Sequence, residues 1–295
     1  MARRSWIKRE LPEIINYFDK SKTKIYRTAQ IRELFHRKSY EWSLPKSLSM
    51  TDFIEKLLDE TVLQKVELDF PHRRETRYAW GEVSEFQLAQ SLKNGSYITH
   101  QSAAYIHGLV DGPPQDLFVN FEQPKRIQKG DITQEAIDRA FKRPVRITKN
   151  KAAYRDITIW LINGMHTSRY GVVEEISERN ESISVTNVAR TLVDMAVRPV
   201  YSGGVLNVFA AYKRAKDKTT VEELSKTLRN MGHIYPYHQV VGFYLEKASG
   251  VGEESLEILE EIPMNFDFYL THQMGETAYS KKWRLHYPKE LLKTL

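Results

Sequence analysis

Apolar positions in the first 80 residues change period once, and the change divides that segment. In LPEIINYFDK (11–20), Leu11, Ile14, Ile15 and Phe18 recur at helical spacing. Pro12 falls in the first turn, where its missing N–H is tolerated. AQIRELFHR places Ile31, Leu34 and Phe35 on one face, with Thr28 expected to cap this second helix. Pro45, inside SYEWSLPKS, enforces a break. Ser49 or Thr51 is then expected to cap a third helix, DFIEKLLDE, with Phe53, Ile54, Leu57 and Leu58 inward. Beyond it, VLQKVELDF and ETRYAW read as two strands around a turn at Pro71, closed by Gly81. Helix, helix, helix, hairpin is the plan of a winged helix-turn-helix, assigned here to residues 1–82.

From Ser84 onward helical and extended patterns mix. GEVSEFQLAQS starts a helix, and Thr99 is expected to cap another, HQSAAYIHG, which Gly108 stops. DLFVNFEQ and YRDITIWLING read as strands, and TQEAIDRAFKR as a helix capped by Thr133. SISVTNVARTLVDMAVRP runs from a short strand into a helix ended by Pro199. Three more helices follow, in GGVLNVFAAYKRA, TVEELSKTLRNMG and YHQVVGFYLEKAS, and FDFYLTHQ with KKWRLHYP reads as a closing strand pair. The expected fold is α+β: a winged helix-turn-helix, then a larger mixed α+β C-terminal domain over 83–295. No internal repeat or low-complexity segment interrupts it.

Charge adds a function to the first segment. The chain carries 44 Lys+Arg against 38 Asp+Glu, a net of +6. Residues 1–80 hold 17 of those cations and 12 of the anions, so +5 of the excess lies there. That asymmetry points to an N-terminal module facing a polyanion. FPHRRETRYAW crowds His72, Arg73, Arg74 and Arg77 around the hairpin bend. As a wing they would neutralise phosphates or enter a narrow minor groove. The competing reading pairs the arginines with Glu67, Asp69 and Glu75. The outer face of the third helix is acidic (Asp52, Glu55, Asp59) apart from Lys56. Groove contacts are therefore expected at its N-terminal end, from Lys46, Ser47, Ser49 and Thr51, with Arg27, Thr28 and Arg32 of the second helix positioning phosphates.

Other residue types narrow the class. There is no cysteine, which excludes disulfides, thiolate metal sites and thiol catalysis, and fits a reducing cytoplasm. MARRSWIKRELPEI has no apolar run behind its cations and does not read as a secretory signal. No window reaches the roughly 18 apolar residues of a membrane span.

In the body, His100 and His107 stand seven apart, the wrong interval for a helical metal pair, and read as a capping and a packed histidine. His238, among aromatics, reads as a hydrogen-bonded core histidine. Gly203 and Gly204 lack the Lys-Ser/Thr of a P-loop and read as a tight turn. Glu174, Glu175 and Asp194 form no metal motif. Arg190, Asp194 and Arg198, at intervals of four, are expected to form a charged ladder on one helix face. No catalytic residue, metal or cofactor is assigned, and the body reads as a binding or sensing domain. Two alternatives stay open: a DNA-targeted metal-dependent nuclease, and a protein-interaction module whose arginines meet an acidic partner.

Longer segments carry a resemblance. SVTNVARTLVDMAVRPVYSGG (184–204), YPYHQVVGFYLEKASG (235–250), YITHQSAAYIHGLVDGPPQDLFVN (97–120), and FDFYLTHQ with KKWRLHYP resemble the AbiEi family. These are the antitoxins of type IV bacterial toxin–antitoxin systems, which also act in abortive infection of phage. The resemblance implies a repressor that binds inverted repeats in its own promoter through the N-terminal domain. It also implies a functional partner, a nucleotidyltransferase toxin of the AbiEii type, counteracted by the C-terminal domain without a stable complex. DNA contact falls on Lys46, Ser47, Thr51, Arg73, Arg74 and Arg77. The antitoxin motif falls on Arg190, Thr191, Asp194, Arg198, Pro199, Tyr201, Gly203 and Gly204.

Overall fold

The structure, a computed structural model, describes residues 6–125, 132–177 and 180–293. Its first helix, α1 (Trp6–Lys20), starts five residues before the expected Leu11, because Ile7 lies on the same buried stripe as Ile14 and Phe18. A three-residue strand, β1 (Ile25–Arg27), leads straight into α2 (Thr28–Lys38). Arg27 holds the cap position and Thr28 is the first helical residue; the Arg27 N–H is taken by Gln30 Oε1 at 2.8 Å. Ser49 caps α3 (Met50–Glu60), its Oγ accepting from the Asp52 N–H at 3.1 Å, and Thr51 lies within the first turn.

The hairpin β2 (Leu63–Phe70) and β3 (Arg73–Trp80) follows, and β3 pairs with both β2 and β1 in an antiparallel sheet of order β1-β3-β2. Phe18, Trp42, Phe53 and Trp80 fill the space between this sheet and the helices. Phe18 and Trp80 stack at 4.5 Å, and Trp80 Nε1 donates to Asp19 at 2.7 Å.

The distal half of the hairpin belongs to a different core. Leu68 and Phe70 are buried with Leu88, Val119 and Ile159 of the following segment, so the bend is anchored to the body and does not project freely.

The body begins with α4 (Glu85–Ser91), β4 (Tyr97–Ile98), α5 (His100–Ile106), β5 (Asp116–Glu122), α6 (Gln134–Phe141), β6 (Lys151–Tyr154), β7 (Ile157–Gly164), β8 (Val172–Ile176) and β9 (Ser182–Thr186). The strands form a six-stranded mixed sheet of order β6-β7-β5-β4-β9-β8. β5 pairs parallel with β7, and β4 parallel with β9; the other pairs are antiparallel. Central β5 and β7 are rich in apolar residues on both faces, as covered strands require.

α7 (Val188–Val197) packs beside α5 and is buried along nearly its whole length. α8 (Val205–Arg214), α9 (Val221–Met231), α10 (Tyr237–Tyr244) and α11 (Glu253–Glu260) surround it in a second, largely helical core. α10 runs on into a π turn, Leu245–Ser249, which ends at Gly250 in the left-handed region. Gly242 lets Trp283 lie on the α10 backbone: a Cβ there would come within 2.2 Å of the indole ring. His238 is buried as expected, but its Nε2 has no protein partner.

The C-terminal strands differ from the expected pair. β10 (Phe268–Tyr269) and β12 (Leu285–Pro288) are parallel, and β11 (Thr277–Ser280), which the sequence pattern left unassigned, supplies the antiparallel partner of β12. The fold is mixed α+β with several sheets. Among the described residues no helix is long and apolar enough to cross a membrane.

Candidate functional site

The basic residues of the N-terminal segment divide into three groups. Lys46, Ser47, Ser49 and Thr51 are exposed and contiguous at the start of α3, and Arg32 is exposed on α2. Ser49 is committed to the cap and also donates to Asp52 Oδ2 at 2.8 Å, so it is less available than its neighbours. Thr28 is half-buried, and Arg27 is directed at the body, with Nη2 donating to Ser91 O at 3.1 Å and Asn94 Oδ1 at 2.8 Å.

At the hairpin, the carboxylate-paired reading is what the structure contains. Arg73 donates to Glu75 at 2.6 Å and lies 4.9 Å over the Phe70 ring. Arg74 donates to Asp69 at 2.7 Å but stays exposed, as does His72. Arg77 corrects the expectation of an exposed wing cation, because it is only 2 % exposed. Its guanidinium donates to Glu75, to the Thr76, Ser91 and Leu92 carbonyls and to Ser91 Oγ at 2.8–3.3 Å. Alternation along β3 turns Arg77 and Glu75 to the α4 side, and that packing needs a cation to satisfy the carbonyls ending α4. A hairpin sequence does not record that α4 will lie beneath it.

A second concentration of polar chemistry lies in the body, in a cleft of about 780 Å³. One wall is the ends of β5 and β7 with the segments that follow them; the other is the end of α7 and the turn between α9 and α10. Arg190, Asp194, Arg198 and Tyr201 all line it. The expected ladder is cut to a single rung. Arg190 Nε donates to Asp194 Oδ1 at 2.9 Å, but Arg198 follows the last residue of α7 and turns away, its Nη1 donating to Arg146 O at 3.0 Å.

The Arg190–Asp194 pair is buried and saturated. Asp194 also accepts from Thr99 Oγ1 at 2.9 Å. Arg190 Nη1 reaches Thr167 Oγ1 at 3.0 Å and Tyr170 O at 2.8 Å, and its Nη2 reaches the Tyr97 hydroxyl at 3.4 Å. Burial disfavours the guanidinium charge, but Asp194, Tyr97 and Glu122 more than offset it, and its pKa is raised. Thr99 therefore stands at the start of α5 without capping it, since its hydroxyl serves Asp194.

Glu122 steadies the far side of this network. Burial alone would raise its pKa, but the Thr167 and Arg169 N–H groups, the Thr167 hydroxyl and the Tyr97 hydroxyl all donate to it and hold the pKa below the usual range. Gly171 permits the approach of its loop to α7: it has φ +71°, and a Cβ there would meet Arg190 Cβ at 2.8 Å.

The rest of the motif shapes the turn after α7. Thr191 Oγ1 donates to Thr186 O at 3.0 Å, tying α7 to β9. Pro199 opens a short 3-10 turn, Pro199–Tyr201, whose Tyr201 is buried against His100 and Phe118 and accepts from the Thr148 N–H at 2.8 Å. Gly203 and Gly204 have φ of +73° and +89°, and Gly204 N donates to Pro199 O at 2.9 Å. They make the tight turn that starts α8.

Sequence reasoning missed Lys125, Arg146, His166 and His233, all on the cleft. No spacing rule joins them, as they come from four separate segments. His100 and His233 are pushed down to about 4 by burial, so both are neutral at pH 7. Positive charge in the cleft thus resides on Lys125, Arg146 and Arg198, with Arg190 committed to Asp194. Among the described residues no cluster of His, Cys, Asp or Glu is arranged to hold a metal ion.

No protein-family model matches the chain, and no curated protein does. A solved structure does. The RV2827C protein of Mycobacterium tuberculosis superposes with a TM-score of 0.62 over 98 % of this chain and 94 % of that one. The two share 14 % identity, so the likeness is one of fold.

Proposed function

We propose that the protein is a DNA-binding autorepressor and the antitoxin of a type IV toxin–antitoxin operon, a regulator with no catalytic role. In this reading α1 to β3 is a winged helix-turn-helix that binds inverted repeats upstream of its own gene. The nucleotidyltransferase toxin of that operon is its functional partner. The observation that carries the DNA side is the exposed start of α3: Lys46, Ser47 and Thr51 stand together on the surface after the α2–α3 turn, with Arg32 exposed on α2. Free backbone N–H groups and hydroxyls at a helix start, beside a lysine, suit a phosphate or a base edge. At the hairpin the reading rests on His72 and Arg74, since Arg73 and Arg77 are engaged internally. On the antitoxin side, the support is the resemblance of residues 184–204, of which Arg190, Asp194, Val197, Arg198 and Tyr201 line the body cleft.

The test is a gel shift on the DNA upstream of the gene, titrated with salt, using wild type and Lys46→Ala/Ser47→Ala/Thr51→Ala. The expected result is tight binding that weakens steeply with salt and is lost in the variant. Each phosphate contact removed should flatten the log–log salt slope by about 0.9. A folded wild type that binds this DNA no better than unrelated duplex would overturn the proposal.

A further inference from the structure

The body cleft carries a combination the regulatory reading does not use. Three cations line it, Lys125, Arg146 and Arg198, and among the described residues none of them is paired with a carboxylate. Asp194, which also lines it, is already matched by Arg190 and Thr99. Arg146 and Arg198 are both exposed, and Arg198 makes its bond to a carbonyl, leaving its charge uncompensated. The same cleft exposes apolar surface: Ile147 is 46 % and Ile234 51 % exposed, on segments that line it. Tyr235, half-buried, adds aromatic surface beside them. His233 also lines the cleft and has a buried Nε2 without a protein partner. A volume of about 780 Å³ lies in the range of small-molecule sites.

Cations without counter-ions select an anion, and planar guanidinium groups favour phosphate oxygens. Exposed isoleucines and the half-buried Tyr235 in the same cleft select a flat apolar body attached to that anion. We infer that the cleft binds a nucleotide, with its phosphates against Arg146 and Arg198 and its base against the Ile147, Ile234 and Tyr235 surface. This site is separate from the α3 surface and does not rest on the DNA-binding reading.

The experiment is calorimetric titration of the full chain with ATP, GTP, CTP and UTP, and with inorganic triphosphate. The proteins are wild type, Arg146→Ala/Arg198→Ala and Ile147→Ser/Ile234→Ser, each checked for a native thermal transition. At least one nucleotide should bind the wild type, tenfold or more tightly than inorganic triphosphate does. The arginine variant should lose at least tenfold in nucleotide affinity. The isoleucine variant should retain triphosphate affinity while its nucleotide affinity falls to that level. Absence of nucleotide binding by folded wild type overturns the inference. So does an affinity unchanged in the arginine variant, or inorganic triphosphate binding as tightly as every nucleotide. Lys46→Ala/Ser47→Ala/Thr51→Ala should bind the nucleotide like wild type, which separates failure of this site from failure of the DNA reading.

Discussion

Replacing Asp194 with alanine tests the central physical claim about the body, that its motif is held by a buried ion pair. The substitution removes the acceptor of two bonds, from Arg190 Nε and Thr99 Oγ1, each 2.9 Å long. Arg190 is 3 % exposed, so its charge cannot turn to water without opening the α7 packing. Breaking a buried pair from one side costs about 3–5 kcal/mol, mostly from the stranded charge. Against a total stability of roughly 5–15 kcal/mol, that is a large fraction. Urea unfolding followed by far-UV circular dichroism measures it, provided the slope with denaturant is unchanged. Arg198→Ala is the control, since Arg198 is exposed and bonds to a carbonyl, and its midpoint should match wild type. Arg190→Met combined with Asp194→Ala should cost less than the two single changes added together, by about 1–3 kcal/mol. A loss under about 1 kcal/mol for Asp194→Ala would refute the reasoning, because the guanidinium would then have found another partner or water.

Three further outcomes are expected. Arg77→Ala should cost about 3 kcal/mol in urea unfolding, since it removes a buried cation that donates to Glu75 and to the Thr76, Ser91 and Leu92 carbonyls, whereas Arg74→Ala at the same hairpin should leave the melting temperature unchanged. Gly242→Ala should lower soluble yield or melting temperature sharply, because its methyl would lie 2.2 Å from the Trp283 ring and neither the helix nor the ring has room to move; a wild-type melting curve would contradict that packing. Stability should also fall in acid. Burial holds His100, His233 and His238 down to about 4, below an unfolded value of about 6.5, so the unfolded chain takes up protons first. Their contribution is full above the unfolded value and is lost as pH drops from about 6.5 to about 4, by about 2 kcal/mol for each histidine at pH 5. Denaturation midpoints that stay flat between pH 7 and 5 would show these histidines to be solvated.

The sequence by itself determined the local elements. Apolar spacing located α1, α2 and α3, and Ser49 and Thr133 were readable as caps because capping is a contact within three residues. It also determined where the excess charge lies and that a short strand runs into a helix that ends before Pro199. β1 was not legible, since a strand of three residues is too short to show a period. β11 was missed because only its pairing with β12 marks it as a strand.

Tertiary structure decided what the charged residues do. Arg74 and Arg77 stand three apart on one strand, yet one faces solvent and the other is buried, and the difference is the presence of α4 on one side of the hairpin. Arg198 follows Asp194 by the same interval at which Asp194 follows Arg190, but the helix ends between them, so a ladder that periodicity predicts has no second rung. The cleft could not be read at all. Lys125, Arg146, Arg198 and His233 reach it from four segments, and a cavity is a property of how packed elements fail to touch, which no local pattern records.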